Sequence, residues 1–525
     1  MCRCSIQSIF GALVRSDSMA SQEAWPAFAR KVQTRPLAVG PGRRDDGAMV
    51  RLLLEFAFNT PMYSEIFLVD IGSTRLKAAR YSVEAGVHDI VSQDSPLQAE
   101  VVDARALLDC IAQIADQQFK GVVPSAIAIT GATRTHVLTG HDGQALSAVV
   151  KLDDARGAEF EERLRQAYGD DGHLGMGAFQ PLARLLDCQA RQPALYAQVA
   201  WQLELKDWLN LQLTGIAATD PVCRARMLPS GANLAAIATR LGLRPSLLPD
   251  VVPAASVLGR VSSQGDRRLA RLQGVPVVQC GFDAWCASFG MGCVADQQTY
   301  NVTGTTEVFG SFRKDIRQVP GVSCLQWMPD LYHLGGPCQT GLATLAWFGR
   351  TFLNDDNPAS VMDCAALAKP DLPLCLPFVS GERMPFWKPD LAAQFLEVRS
   401  QHGLPELARA LLDGLLVFQR YLLSLLSPAA AGLHLSGGGA SMDGWAQLKA
   451  DAFALPVITS TVAEPGLLGA AICALTALKV YPEMGQAQAA LTTSGIVTLP
   501  NLAETQRLLA VEQRLLPHLM KLAAP

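Results

Sequence analysis

The stretch Ile66-Phe-Leu-Val-Asp70-Ile-Gly-Ser-Thr74-Arg-Leu-Lys77-Ala-Ala-Arg-Tyr81 decides the reading of this chain. A short apolar run ends in an acid, a turn of small and hydroxyl residues follows, and a second run leads away. That is the pattern of strand, tight turn and returning strand. A tip of the same kind, Thr299-Tyr-Asn-Val-Thr303-Gly-Thr-Thr-Glu307, recurs far along the chain. Two alike tips suggest an internal duplication, with each half lending one turn to a shared cleft.

Outward from these hairpins, Ala126–Gly131, Val275–Gly281 and Leu433–Gly437 read as buried strands ending at glycine. Helical spacing is predicted over Val101–Asp116, Arg156–Leu213, Ala284–Gly290, Leu404–Leu426, Trp445–Phe453 and Gly466–Leu478. Alternating strands and helices make this an α/β chain. The longest largely apolar run, Gly466–Leu478, falls short of the roughly 20 residues a membrane span needs and reads as a core helix.

The whole chain has 525 residues, 49% of them hydrophobic and 18% charged, which fits folded domains and excludes a disordered chain. Lysine and arginine total 44 against 48 acids, a net charge of −4. No basic block stands out, so a nucleic-acid partner held by bulk electrostatics is excluded. The 13 cysteines are scattered, and the closest group, Cys280, Cys286 and Cys293, lacks zinc-ligand spacing. Reduced thiols in a cytoplasmic protein are the expectation. Residues 1–61 are arginine-rich, carry a loop-like Gly40–Gly47 segment and show no sustained period. They are expected to be a poorly ordered extension, with Met62 as the start of the folded protein; an organelle presequence is the competing reading.

The chain has no Gly-x-x-x-x-Gly-Lys-[Ser/Thr] loop, no Gly-x-Gly-x-x-Gly in its required setting and no Gly-x-Ser-x-Gly elbow. Strand ends bearing Asp70, Gly72-Ser-Thr74, Asp283, Thr303-Gly-Thr-Thr306 and Gly437-Gly-Gly439 remain. Ligands of open α/β sheets gather at such ends, and turn N–H groups form anion nests. Two acids beside a polyphosphate need a cation, and Mg²⁺ is the natural one. The residues therefore read as a nucleotide phosphotransferase. Asp283, at a strand end leading into a helix, is a rigid place for a general base, with a helix N-cap as the alternative. Asp70 is assigned to Mg²⁺ through water or to positioning the phosphate, against a turn-forming aspartate. Lys77 reads equally as a phosphate contact or a solvated lysine, and Glu382 with Arg383 as a structural ion pair.

In this order the segments resemble the FGGY carbohydrate kinases, within the sugar kinase/actin/heat-shock ATPase superfamily. The resemblance spans about 65–480 and rests on Val69–Lys77, Gly281-Phe-Asp-Ala284, Thr303–Glu307, Gly381-Glu-Arg-Met-Pro-Phe-Trp387 and Ser436–Ala440, completed by Trp445, Gln447, Asp451, Glu464 and Gly469-Ala-Ala471. It implies two actin-like (ribonuclease H-like) domains flanking a hinged ATP cleft, assigned here as residues 62–310 for the sugar and 311–525 for the nucleotide. By the same resemblance Gly72, Ser73, Thr74, Lys77, Thr303, Gly304 and Thr305 would hold phosphates. Gly341, Gly438, Gly439 and Asp443 would face the nucleotide, and Asp283 would be the base. Thr133, Arg134, Asp154, Phe282 and Asp283 would meet the sugar. The layout is nearest the xylulose and fuculose kinases, so ATP, Mg²⁺ and a small ketose or polyol are expected, with no membrane partner and a homodimer as the common assembly of such enzymes.

The sugar loop departs from the family pattern. Where many members carry Gly-Gln-Met-His, this chain reads Gly131-Ala-Thr-Arg-Thr-His136, placing Thr133 and Arg134 at the Met-His positions. Trp-Asn-Asp-x-Arg becomes Leu152-Asp-Asp-Ala-Arg156, and Pro221-Val-Cys-Arg-Ala-Arg226 replaces small hydroxyl residues. Arginine suits a carboxylate. A sugar acid gripped by Arg134 is thus one alternative, and Arg134 paired with Asp153 or Asp154 around a neutral ketose is the favoured one. A non-catalytic sugar sensor is a second alternative, and a chaperone- or actin-type ATPase, disfavoured by Gly381-Glu-Arg-Met-Pro385, is a third.

Overall fold

The computed structural model describes residues 65–168, 180–227, 233–262 and 267–523. The extension expected over 1–61 lies outside them. The first sheet comprises β1 (Ile66–Ile71), β2 (Arg75–Ser82), β3 (Gly86–Asp94), β4 (Ala126–Gly131), β5 (Ser256–Arg260) and β6 (Pro276–Gln279), in the order β3-β2-β1-β4-β6-β5. The second comprises β7 (Thr299–Thr303), β8 (Glu307–Arg313), β9 (Ser323–Met328), β10 (Leu331–Cys338), β11 (Leu433–Ser436), β12 (Val457–Thr459) and β13 (Ile496–Thr498), in the order β9-β10-β8-β7-β11-β12-β13.

The two sheets repeat one plan. A hairpin, β1–β2 or β7–β8, is antiparallel; its first strand then pairs in parallel with β4 or β11. A second parallel pair follows, and an antiparallel edge strand closes each sheet. Ile66–Val69 is buried on both faces, which explains why the strand is continuously apolar rather than alternating. Strands β7 and β8 are hydrogen-bonded to β11 and β10, so sheet membership changes between Gln279 and Thr299. The boundary expected at 310 would cut through this second sheet.

The helices used below are α1 (Ala104–Gln118), α2 (Pro181–Arg191), α3 (Pro221–Ala225), α4 (Asp283–Gly290), α5 (Leu342–Phe348), α6 (Leu404–Leu426), α7 (Trp445–Phe453) and α8 (Pro465–Ala477). Helix α1, through Leu107 and Ile111, and Phe119 just past its end cover one face of the first sheet against Phe67 and Val69. Helix α6 forms the core of the second half with Phe309, Leu345 and Leu435. Between the sheets lie α4 and α8, sharing one core with Ile66, Leu68, Tyr300 and Phe312. Small residues bring these two helices into backbone contact. A β-carbon on Gly290 would overlap the Pro465 carbonyl, and one on Gly469 would overlap that of Cys286.

Two readings change. The helical region expected over Arg156–Leu213 is broken by the strand Trp201–Glu204, which pairs with His136–Thr139. The cysteine group is also different. Cys280 and Cys286 meet Cys473 of α8, with sulfurs within 4.8 Å of one another, while Cys293 turns to the Ser288 carbonyl.

Candidate active site

Between the sheets opens a cavity of about 660 Å³, a size that suits a small-molecule ligand. Asp70 and Lys77 line it from the first hairpin, Asp283 and Ala287 from α4, Ser436–Gly438 from the end of β11, and Thr459–Gly466 from the approach to α8. Distant strand ends thus converge on one crevice, as parallel sheets dictate. The N-terminus of α8 opens into the same space, favouring negative charge there.

Asp70 ends β1 with Oδ1 buried and lacking any hydrogen-bond partner among the described residues. Burial, together with the charges of Asp283, Cys286 and Glu464, raises its carboxyl to about 7 against the opposing pull of Lys77. A buried, unpaired carboxylate oxygen beside other acids is chemistry that suits a hard cation. Asp283 begins α4, and its Oδ1 accepts the Ala284 N–H at 2.7 Å. Burial lifts it to about 6, with the Ala284 N–H and the Arg226 charge holding it down. It is the first helical residue, after Phe282 at the N-cap position, so the N-cap alternative does not hold, and its carboxylate lines the cavity.

Lys77 is neither solvated nor free. Its Nζ lies 2.6 Å from Glu464 Oε2, tying the first hairpin to the segment entering α8. Gly72 forms the turn through its N–H to the Arg75 carbonyl, while Ser73 and Thr74 are exposed and do not line the cavity.

The second turn is partly structural. Thr303 Oγ1 donates to Glu307 Oε1 at 2.8 Å and accepts the Trp445 indole N–H at 2.9 Å. Glu307 is itself paired with the buried Lys449 and bonded by Asn301. The Thr303 hydroxyl expected for phosphate is therefore committed to the core. Gly304 and Thr305 offer carbonyls to the N–H groups of Leu342 and Ala343 at the start of α5. Gly341 packs directly on this turn, and Gly437, at φ +94°, packs on the Thr303 backbone. Gly439 touches Thr303 as well, while Gly438 faces open space at the cavity wall. Asp443 is exposed and not part of the lining.

Beyond Asp283 lies the expected acceptor end. Phe282 is buried edge-on to Trp327, with the Arg226 guanidinium 4.4 Å above its ring centroid. Arg134 is buried at φ +54°, its N–H donating to Glu204 at 3.2 Å. Asp154 pairs with Arg156 at 2.6 Å, and Thr133 Oγ1 is buried without a partner among the described residues. The expected Glu382–Arg383 ion pair does not form. Glu382 accepts the N–H groups of Gln339, Thr340 and Arg383, and Arg383 donates to the Cys338 carbonyl.

Comparison with protein families decides what this cleft belongs to. The profiles of the FGGY family of carbohydrate kinases match residues 66–290 for the N-terminal domain and 299–478 for the C-terminal domain. The chain belongs to the FGGY family of carbohydrate kinases. Erythritol kinase of Brucella abortus (strain 2308) is 26% identical over 447 residues, covering 78% of this chain and 83% of that one. Xylulose kinase of Bacillus subtilis (strain 168) is 23% identical over 395 residues, covering 71% and 77%. Gluconate kinase from Lactobacillus acidophilus superposes with a TM-score of 0.79 at 20% identity, covering 88% of this chain and 98% of that one. The paired actin-like fold and a phosphotransferase acting on a carbohydrate alcohol follow.

In this FGGY kinase three charged residues packed around Arg134 and Phe282 stand outside the residues singled out for a site in the sequence. Arg184 of α2 is buried and donates to the carbonyls of Arg134, Lys151, Leu152 and Asp154 at 2.6–3.1 Å. Glu204 accepts the Arg134 N–H and lies 3.5 Å from His136; its neighbours His136, Lys206 and Arg226 hold its carboxyl low despite burial. Arg226 was noted only as a departure from the family pattern. Helix α2 buries two charged residues, Arg184 and Asp187, among its apolar ones, a signal that does not tell them apart.

Proposed function

We propose that this kinase transfers the γ-phosphoryl group of ATP to a hydroxyl of a small, open-chain polyhydroxylated acceptor, with Asp283 as general base. The observation that carries the reading is the presence of Asp283 and Asp70 on the same cavity wall system as the glycine-rich end of β11. In the reaction the acceptor hydroxyl oxygen bonds to the γ-phosphorus and the bond to the β-phosphate oxygen breaks. ADP leaves, and the hydroxyl proton passes to Asp283. A carboxylate lifted to about 6 is ionised at neutral pH yet basic enough to take that proton.

Gly437 and Gly438 let the backbone lie close to a nucleoside, and the N-terminus of α8 favours its phosphates. Asp70 would hold Mg²⁺, which neutralises phosphate charge when bound. Lys77, now on Glu464, is positioned to exchange that partner for a phosphate oxygen. Residues 66–290 would carry the acceptor and 299–478 the nucleotide.

Relatives named for erythritol, xylulose and gluconate bracket the acceptor as a ketose, a polyol or the corresponding acid. A ketose or polyol of the xylulose class is supported by the first two names. A sugar acid is supported by an observation on this chain: the Arg226 guanidinium lies over Phe282, next to Asp283, with its buried Nε lacking an acceptor among the described residues. The test is ADP release from MgATP across a library of ketoses, alditols and aldonates. Release that depends on one acceptor class is expected. Acceptor binding without ADP release would mark a sugar sensor, and ADP release independent of acceptor would mark a plain ATPase; either result overturns the proposal.

A further inference from the structure

Arg226 is held in place by its neighbours yet has no hydrogen-bonding partner for its side chain among the described residues. It follows α3, whose first turn is capped by Asp220: the carboxylate accepts the N–H groups of Val222 at 2.9 Å and Cys223 at 3.0 Å. Asp220 is fixed in turn by the buried Lys206 at 2.8 Å. The guanidinium lies over Phe282, the neighbour of the catalytic candidate Asp283. This stacking holds the plane of the group and leaves its N–H edge for another partner.

That edge is unmet by the protein. Arg226 Nε is buried and has no acceptor among the described residues, and its guanidinium forms no ion pair with them. Neighbouring arginines differ. Arg184 spends its N–H groups on backbone carbonyls, and Arg156 grips Asp154. Glu204 acts on Arg134, Arg184 and Arg226 alike and lies 3.5 Å from His136, and Asp283 acts on Arg226 as well, yet neither carboxylate is hydrogen-bonded to the Arg226 guanidinium. Taking a guanidinium out of water without a hydrogen-bonded anion is costly, and an arriving anion that meets its N–H groups recovers that cost. A planar fork with two adjacent N–H donors matches a carboxylate.

We propose that Arg226 is the acceptor-selecting residue of this kinase and binds the carboxylate of an open-chain sugar acid whose hydroxyl is presented to Asp283. The proposal rests on the kinase reading above. It transfers the anion-binding role from Arg134, the residue singled out in the sequence, to a side chain with donors to spare.

The test compares wild type, Arg226→Gln and Arg226→Lys. Acceptors are threonate, xylonate and gluconate against threitol, xylitol and glucitol, with xylulose as a neutral ketose. Turnover is read by ADP release, and binding by calorimetry with a non-hydrolysable ATP analogue and Mg²⁺ present. Wild type should prefer at least one aldonate over its alditol. In Arg226→Gln, kcat/KM for that aldonate should fall roughly 10–100-fold, mostly through KM, as expected for a lost charged hydrogen bond. The same variant should change the neutral acceptors far less. Arg226→Lys should recover only part of the loss, and both variants should melt like wild type because no side-chain hydrogen bond is removed. Equal losses for acids and neutral acceptors, or no aldonate bound better than its alditol, would overturn the assignment. Should turnover be absent while Arg226→Gln still abolishes aldonate binding, the kinase reading fails and the Arg226 site stands.

Discussion

The carboxylate of Asp70 occupies the space that a β-carbon on Gly466 would fill, since such an atom would overlap Oδ2. The end of the first strand and the first turn of α8 are thereby locked together at the cavity. Alanine is otherwise the better helix residue by about 0.5–1 kcal/mol. Gly466→Ala should therefore fold with an undiminished melting temperature, because the short Asp70 side chain can swing aside. Its MgATP requirement should rise steeply. Unchanged MgATP dependence would show that the position of the Asp70 carboxylate is irrelevant to the nucleotide.

The contacts between α4 and α8 make a different demand. Gly290 and Gly469 face backbone carbonyls of the opposing segment, which cannot rotate away. Gly290→Ala and Gly469→Ala should each cost roughly 1–3 kcal/mol or more, as overpacking does. Denaturant midpoints would measure this, and a midpoint equal to wild type would contradict the close crossing of the two helices.

Much of the fold was legible because its signals are local. Apolar runs ending in glycine or an acid marked β1, β4, β6, β7 and β11, and amphipathic spacing located α6 and α7 at their observed ends. Asp70 and Asp283, which line the cavity, were legible because they stand near or just past the ends of apolar runs. The contacts of Arg184, Glu204 and Arg226 join segments distant in sequence, which no local pattern encodes. The hydrogen bonds of the Thr303 hydroxyl were only half legible: Trp445 lies far along the chain, while Glu307 stands in the motif itself.

That commitment is testable. Thr303→Val leaves the Trp445 indole N–H and Glu307 short of a partner in a buried setting, at a cost of about 1–3 kcal/mol. Thr303→Ser keeps both hydrogen bonds and should keep stability and activity. Strong loss of activity in the serine variant at unchanged stability would restore a direct phosphate role for the side chain.

The acid limb of the pH profile follows from Asp283. A base must be ionised, and burial lifts this carboxyl from 3.8 to about 6. At saturating MgATP, kcat/KM for the acceptor should be flat above that pH and fall about tenfold per unit below it. Arg226 holds the group down, so Arg226→Gln should move the limb upward for every acceptor, charged or neutral. A limb near 4 in wild type would show that Asp283 does not feel its burial or does not limit the rate.

Replacing Asp283 by asparagine addresses the central claim most directly, because the amide keeps the shape and removes the proton acceptor. ATP affinity by calorimetry should be preserved, while acceptor-dependent ADP release should fall by roughly 10²–10⁴. Turnover equal to wild type in Asp283→Asn, with ATP still bound, would contradict the account.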